Sequence, residues 1–141
     1  MRIQLAESDE QIAACFPVLA QLRPHLDVES FLPRIRRQQQ QGFRLACLED
    51  AGQVVAVAGF RVMENLAWGR FLYVDDLVTD AAQRSRGHGA RLLEWLIDLA
   101  RYEGCQELHL DSGVQRFDAH RFYLLKRMRI TAHHFALELL G

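Results

Sequence analysis

Between residues 43 and 79 the chain strings together three β-rich runs with only short turns between them, which constrains the fold more than any other feature. The runs are FRLACLED (43–50), VVAVAGFRVM (54–63) and RFLYVDDLVT (70–79). Asp50-Ala51-Gly52-Gln53 lies between the first two, with a glycine where a hairpin needs positive φ. ENLAWG separates the second and third. Strands joined this closely pair as antiparallel neighbours, so the centre of the fold is expected to be a meander. Leu92, Leu93, Leu96, Ile97 and Ala100 then share one face of a helix starting near Gly87 and ending at Gly104. CQELHLDS (105–112) is a strand reached through that helix, and such a crossover makes it parallel to the strand before.

The flanks complete the order. RIQLA (2–6) is a short first strand. Ser8 with Gln11 three residues on forms a capping box, and Ile12, Cys15, Phe16 and Leu19 repeat at helical spacing. Pro17 inside that pattern is expected to kink or divide the helix. A second helix covers residues 28–41, with its glutamines read as a solvated end. DAHRFYLLK (118–126) is a further helix and ITAHHFALEL (130–139) a last strand. The result is β-α-α-β-β-β-α-β-α-β, a mixed α/β chain without repeat or linker, expected to be one domain over residues 1–141.

Composition is ordinary for a globular chain, and the formal net charge of -1 makes no general trap for nucleic acid. Any positive site must be local. Cys15, Cys47 and Cys105 are isolated, which suggests reduced thiols in a cytoplasmic setting rather than a disulfide framework. No apolar run of about 18 residues would cross a membrane, and the N-terminus has no signal-peptide core.

The local positive site is QRSRGHGARLLEWL (83–96). The first turn of a helix leaves its amides free, and the helix dipole puts partial positive charge there. Gly87 and Gly89 remove side chains that would keep a ligand from the backbone. Arg84 and Arg86 add guanidinium forks matched to phosphate oxygens. A diphosphate fits this arrangement. There is no GxxxxGK[ST] string, and Ala90-Arg91-Leu92 follows Gly87-His88-Gly89 without a third glycine, so neither a P-loop nor a dinucleotide fingerprint is present. Spacing alone leaves open an arginine-rich surface turn.

Arg84-Ser85-Arg86-Gly87-His88-Gly89 resembles the [RQ]-x-x-G-x-[GA] acyl-CoA loop of the GNAT superfamily of N-acetyltransferases. The resemblance continues in YVDDLVT before the loop, LDSG after the helix and AHRFY near the C-terminus. It implies a mixed, mostly antiparallel sheet of six to seven strands, flanked by about four helices, with a central parallel pair that splays apart. It also implies acetyl-CoA as co-substrate, its pyrophosphate held by the loop from Arg84 to Ala90, and its arm lined by Leu77, Val78 and Thr79, with Ser112 as a further contact. The implied activity is acetyl transfer to a primary amine of a small molecule, without a metal, nucleic acid or membrane partner. A non-catalytic acyl-CoA sensor and an acetyltransferase for protein N-termini or lysines are the alternatives. DAHRFY with the HF-containing last strand is similar to small bacterial acetyltransferases of the aminoalkylphosphonate type.

Tyr123 matches the family tyrosine that protonates the coenzyme sulfur. Its spacing with Ala119, Phe122 and Lys126 equally suits a packed core tyrosine. Asp75 and Asp76 are candidate bases; alternation sends them to opposite faces, and Asp76 is preferred as nearer an expected bulge. Asp27 and Glu29 either attract a cationic substrate or are simply solvated. His109-x-Asp111 with His133-His134 does not make a convincing metal set, because His133 and His134 point opposite ways. His120 either orients a ligand or is an exposed helix residue. Arg127 stands where relatives carry glycine after the FY helix, which would strain that turn or redirect it. ITAHHFALEL is a candidate sheet edge for a homodimer.

Overall fold

Ser8 starts the first helix as its spacing predicts. In the computed structural model, which describes residues 1–140, the Gln11 amide donates to Ser8 Oγ at 3.1 Å, and the Ser8 amide donates to Gln11 Oε1 at 3.0 Å. This reciprocal cap opens α1 (Asp9–Leu22), which runs unbroken through Pro17. Asp27 caps α2 (Val28–Gln39), its carboxylate accepting from the Ser30 amide at 2.8 Å. That bond pulls the Asp27 carboxyl below its ordinary value.

The chain forms two compact units, residues 1–109 and 110–141. In the first, β1 (Arg2–Leu5), β2 (Arg44–Asp50), β3 (Gln53–Asn65) and β4 (Gly69–Thr79) pair antiparallel in sequence order, and β5 (Glu107–Leu110) extends the sheet beside β4. The β2–β3 hairpin turns on Ala51 and Gly52, both at positive φ (53° and 78°), as a two-residue primed turn requires. Between β4 and β5 runs α3 (His88–Tyr102), the crossover that parallel neighbours need. Its last turn closes as expected at Gly104: the Cys105 amide donates to the Ala100 carbonyl at 2.9 Å and the Gly104 amide to Arg101 at 3.1 Å.

Both faces of the sheet are covered, which is why β2 and β3 read as near-continuous apolar runs. Phe43, Leu45, Cys47 and Val57 pack with Ile12, Cys15, Val18 and Leu19 of α1 and with Phe31 and Ile35 of α2. Phe60 turns to the other side, where its ring meets Trp95 of α3 edge-on. Leu92, Leu93, Leu96 and Ala100 are the buried stripe of α3; Ile97 is half-buried.

The second unit holds α4 (Phe117–Leu125) and an extended tail. Here an expectation fails. The sheet has five strands rather than six to seven, and residues 130–139 form none of them. Phe135, Leu137 and Leu139 keep the alternation of a strand yet are 92, 83 and 84 % exposed. Alternation makes a segment fit for a sheet, but pairing makes it a strand, and among the described residues this tail pairs with no strand. Arg127 does not redirect the turn after α4. It adopts the left-handed conformation itself (φ 67°), with the Met128 amide donating to Tyr123 and the Arg127 amide to Leu124, both at 3.1 Å. The glycine-type cap is retained without glycine.

Candidate active site

β4 does not alternate evenly. Val74 pairs with Phe60 and Asp76 with Gly59, so Asp75 is an extra residue bulged out of the ladder. The bulge overturns the expectation that Asp75 and Asp76 face opposite sides: both line one cleft of about 590 Å³. Gly59 makes this possible. A Cβ there would lie 2.5 Å from the Phe43 ring and 3.3 Å from Asp76 Oδ2. A glycine interrupting a strand pattern is a bulge signal, and this one sits on the strand opposite the aspartates.

Two arginines hold the pair. Arg61 Nε donates to Asp75 Oδ2 at 3.0 Å and Oδ1 at 3.3 Å, while its Nη2 donates to Gln38 Oε1 at 3.2 Å. Arg23 Nε donates to Asp76 Oδ1 at 2.7 Å. Burial pushes the Asp75 carboxyl above its ordinary value, against the opposing pull of Arg61. Tyr73, Arg37 and Gln41 complete the lining. Sequence reading missed Arg23, Arg37, Gln38, Gln41, Arg61 and Tyr73. Gln38 and Gln41, expected to be part of a solvated helix end, contribute two of these, and no local pattern marks the arginines, since α2 alone carries three.

β4 continues from Asp76 through Leu77, Val78 and Thr79, which pair with Ala58, Val57 and Ala56. Val78 packs on the core. A single 3₁₀ turn follows at Ala81–Gln83, and α1 grips it: Gln21 Nε2 donates to Asp80 Oδ1 at 3.1 Å and Gln21 Oε1 accepts from the Ala81 amide at 2.9 Å. Ser85 (φ 66°) and Gly87 (φ 81°) are both left-handed, folding the chain sharply into α3. No side chain caps that helix start. Arg84 and Arg86 are exposed, and neither has a side-chain partner among the described residues. Gly89 lies against β4, where a Cβ would be 3.3 Å from Thr79 Oγ1. Free amides, unpaired guanidiniums and absent side chains meet at one spot, which fits a diphosphate. His88 is the exception in this loop, since its side chain points into the core. It is 3 % exposed, and neither ring nitrogen has a partner.

In the second unit, burial pushes the Tyr123 phenol above its ordinary value, with Arg116 opposing. The hydroxyl therefore keeps its proton at neutral pH. The Ser112 hydroxyl is buried without a partner. His120 is taken up locally, its Nε2 lying 2.7 Å from the Gly113 carbonyl. In the first unit His109 stacks on Trp68 at 3.6 Å and contacts Glu107 at 2.8 Å. Among the described residues no three His, Cys, Asp or Glu side chains gather as a metal set, and no helix is long and apolar enough to cross a membrane.

Residues 7–127 match the family model described as the Acetyltransferase (GNAT) family. The chain belongs to this family. This acetyltransferase is accordingly an enzyme of N-acetyl transfer, in a family that uses acetyl-CoA as co-substrate and acts on small-molecule or protein acceptors. It is 38 % identical over 117 residues to the uncharacterized N-acetyltransferase YhdJ of Bacillus subtilis, covering 82 % of each chain. It is 31 % identical over 74 residues to the aminoalkylphosphonate N-acetyltransferase of Salmonella typhimurium, covering 52 % of this chain and 48 % of that one. The fold alone is shared with the ribosomal-protein-alanine N-acetyltransferase from Brucella melitensis, at a TM-score of 0.84 and 16 % identity, over 99 % of this chain and 100 % of the other.

Proposed function

We propose that the protein moves the acetyl group of acetyl-CoA to the primary amine of a small molecule by direct attack of the nitrogen on the thioester. One observation carries this reading: the uncapped, arginine-flanked start of α3 lies against the end of the same strand, β4, that bulges two carboxylates into a cleft. Donor and acceptor are thereby served by consecutive residues of one strand. Arg84 to Ala90 hold the pyrophosphate, Leu77, Val78 and Thr79 line the arm, and Ser112 offers a further hydroxyl. Acetyl-CoA supplies the activated acyl group.

An alkylammonium is not a nucleophile, so the amine must lose a proton. Asp75 is the better acceptor of the two aspartates, because burial raises its affinity for a proton while Arg23 engages Asp76 closely. Tyr123 is the proton donor to the departing sulfur. The nitrogen–carbon bond forms as the carbon–sulfur bond breaks; of the two protons the ammonium nitrogen gives up, one is taken by Asp75 and released to solvent, and the other balances the proton that Tyr123 gives to the sulfur and later regains. Each transfer contributes about 10²- to 10⁴-fold.

We read residues 1–141 as one acetyltransferase domain of the cytoplasm, a reading supported by a family match that spans both compact units. We also read the molecule as a homodimer. Ile130, Phe135, Leu137, Leu139 and Leu140 are 75 to 99 % exposed. Each offers somewhat under the ~200 Å² of a buried aromatic, so together they would cover about 900 Å² per copy, close to the ~800 Å² per partner of a specific interface.

The test of acetyl transfer is calorimetry with acetyl-CoA. The wild-type chain is expected to bind it, and Arg84→Ala with Arg86→Ala to weaken binding about 10- to 100-fold, as lost charge-assisted hydrogen bonds predict. Undetectable binding by the wild type ends this reading.

A further inference from the structure

We propose that the cleft beside Asp75 and Asp76 selects an amine that also carries an oxyanion, a carboxylate, phosphonate or sulfonate, and that Arg37 seats that oxyanion. The proposal rests on the acetyl-transfer reading above and names its acceptor class.

The charges in the cleft do not balance. Three guanidiniums, Arg23, Arg37 and Arg61, face two carboxylates. Arg61 is committed to Asp75 through both carboxylate oxygens, and Arg23 to Asp76. Arg37 is the remainder. Its guanidinium has no side-chain partner among the described residues, and it stands at the exposed rim of the cleft, open to an incoming ligand. Gln41, one helical turn further along the chain, brings amide donors to the same lining. Gln38 between them has its oxygen engaged by Arg61, which fixes this end of α2 to the bulge.

A simple alkylammonium would enter a site whose surplus charge has its own sign. An acceptor with an oxyanion brings the missing negative charge, and the planar guanidinium offers the fork that oxyanions match. The orientation follows from the chain. Asp75 and Asp76 lead directly into Leu77, Val78 and Thr79, so the amine belongs at the β4 side and the oxyanion at α2. An anion on the substrate raises the pKa of its own amine; pairing it with Arg37 offsets that, and the nearby guanidiniums favour the free base that attacks.

Thiol release from acetyl-CoA tests this with matched amines. 2-Aminoethylphosphonate, taurine and β-alanine carry an oxyanion; ethanolamine and propylamine do not. The expected result is a kcat/KM at least about 10-fold higher for one or more of the anionic amines than for the neutral pair, the ratio expected of a hydrogen-bonded charge. Arg37→Gln is expected to erase that preference by raising KM for the anionic amine. Arg34→Gln, on α2 outside the cleft, is expected to retain it. Equal use of both classes by the wild type, or a preference that survives Arg37→Gln, overturns the acceptor proposal while leaving acetyl transfer standing. Release with none of the five amines, although acetyl-CoA binds, overturns it too. Failure to bind acetyl-CoA overturns both readings.

Discussion

Asp75 shows how one residue out of step changes a site. In an even ladder its carboxylate would point away from that of Asp76. Bulged, it enters the same cleft, half-buried and held by Arg61. Burial is the largest influence on its carboxyl and raises it above the ordinary range. The sign follows: the folded state holds this proton more tightly than the unfolded chain. Stability from this group is therefore full below the ordinary carboxylate value and falls as pH rises through the raised one. The same group as base needs to be ionised. The acidic limb of kcat/KM is thus expected above the pH of an ordinary carboxylate, and Asp75→Asn is expected to lower the plateau about 10²-fold or more and remove the limb. A pH–rate profile on both proteins decides this; an unchanged limb in Asp75→Asn assigns the base elsewhere. A bulge beside Asp76 was legible in FLYVDDLV, but the partners of the two aspartates were not, because Arg61 and Arg23 come from other elements.

At the scale of elements, what depends on neighbours in sequence was legible and what depends on partners in space was not. The capping box of α1, the primed turn at Ala51-Gly52 and the closure of α3 at Gly104 are local chemistry, and each stands where its residues put it. Pro17 was expected to disturb α1, but the helix continues through it. The tail at 130–139 has a strand's pattern and no strand's partner. Arg127 falls between these cases: its oddity was visible, while its outcome depended on how strongly the two closing hydrogen bonds hold the turn. A left-handed non-glycine residue costs roughly 1–2 kcal/mol, and part of the gain from glycine is offset by its freer unfolded chain. Arg127→Gly is therefore expected to stabilise the protein by about 1 kcal/mol, read as a higher urea midpoint at unchanged slope. A lower midpoint would mean that the arginine side chain contributes more than its backbone costs.

For the whole molecule, the exposed apolar tail predicts association. The wild type is expected to sediment as a dimer, and a chain ending at Arg129 to sediment as a monomer with lower thermal stability. A monomeric wild type at micromolar concentration would refute the dimer. In the proposed function the donor and acceptor sides would also be joined through α1. Gln21, one residue from the end of α1, clasps the turn that leads into the arginine loop, while Arg23, immediately after the helix, clasps Asp76 in the cleft. On that reading, a shift of this rod end on binding one substrate would be felt at the other. Linkage then requires reciprocity: whatever factor bound acetyl-CoA applies to acceptor affinity, bound acceptor applies to acetyl-CoA. The end of α1 is thus where ordered binding of the two substrates would have its mechanical origin.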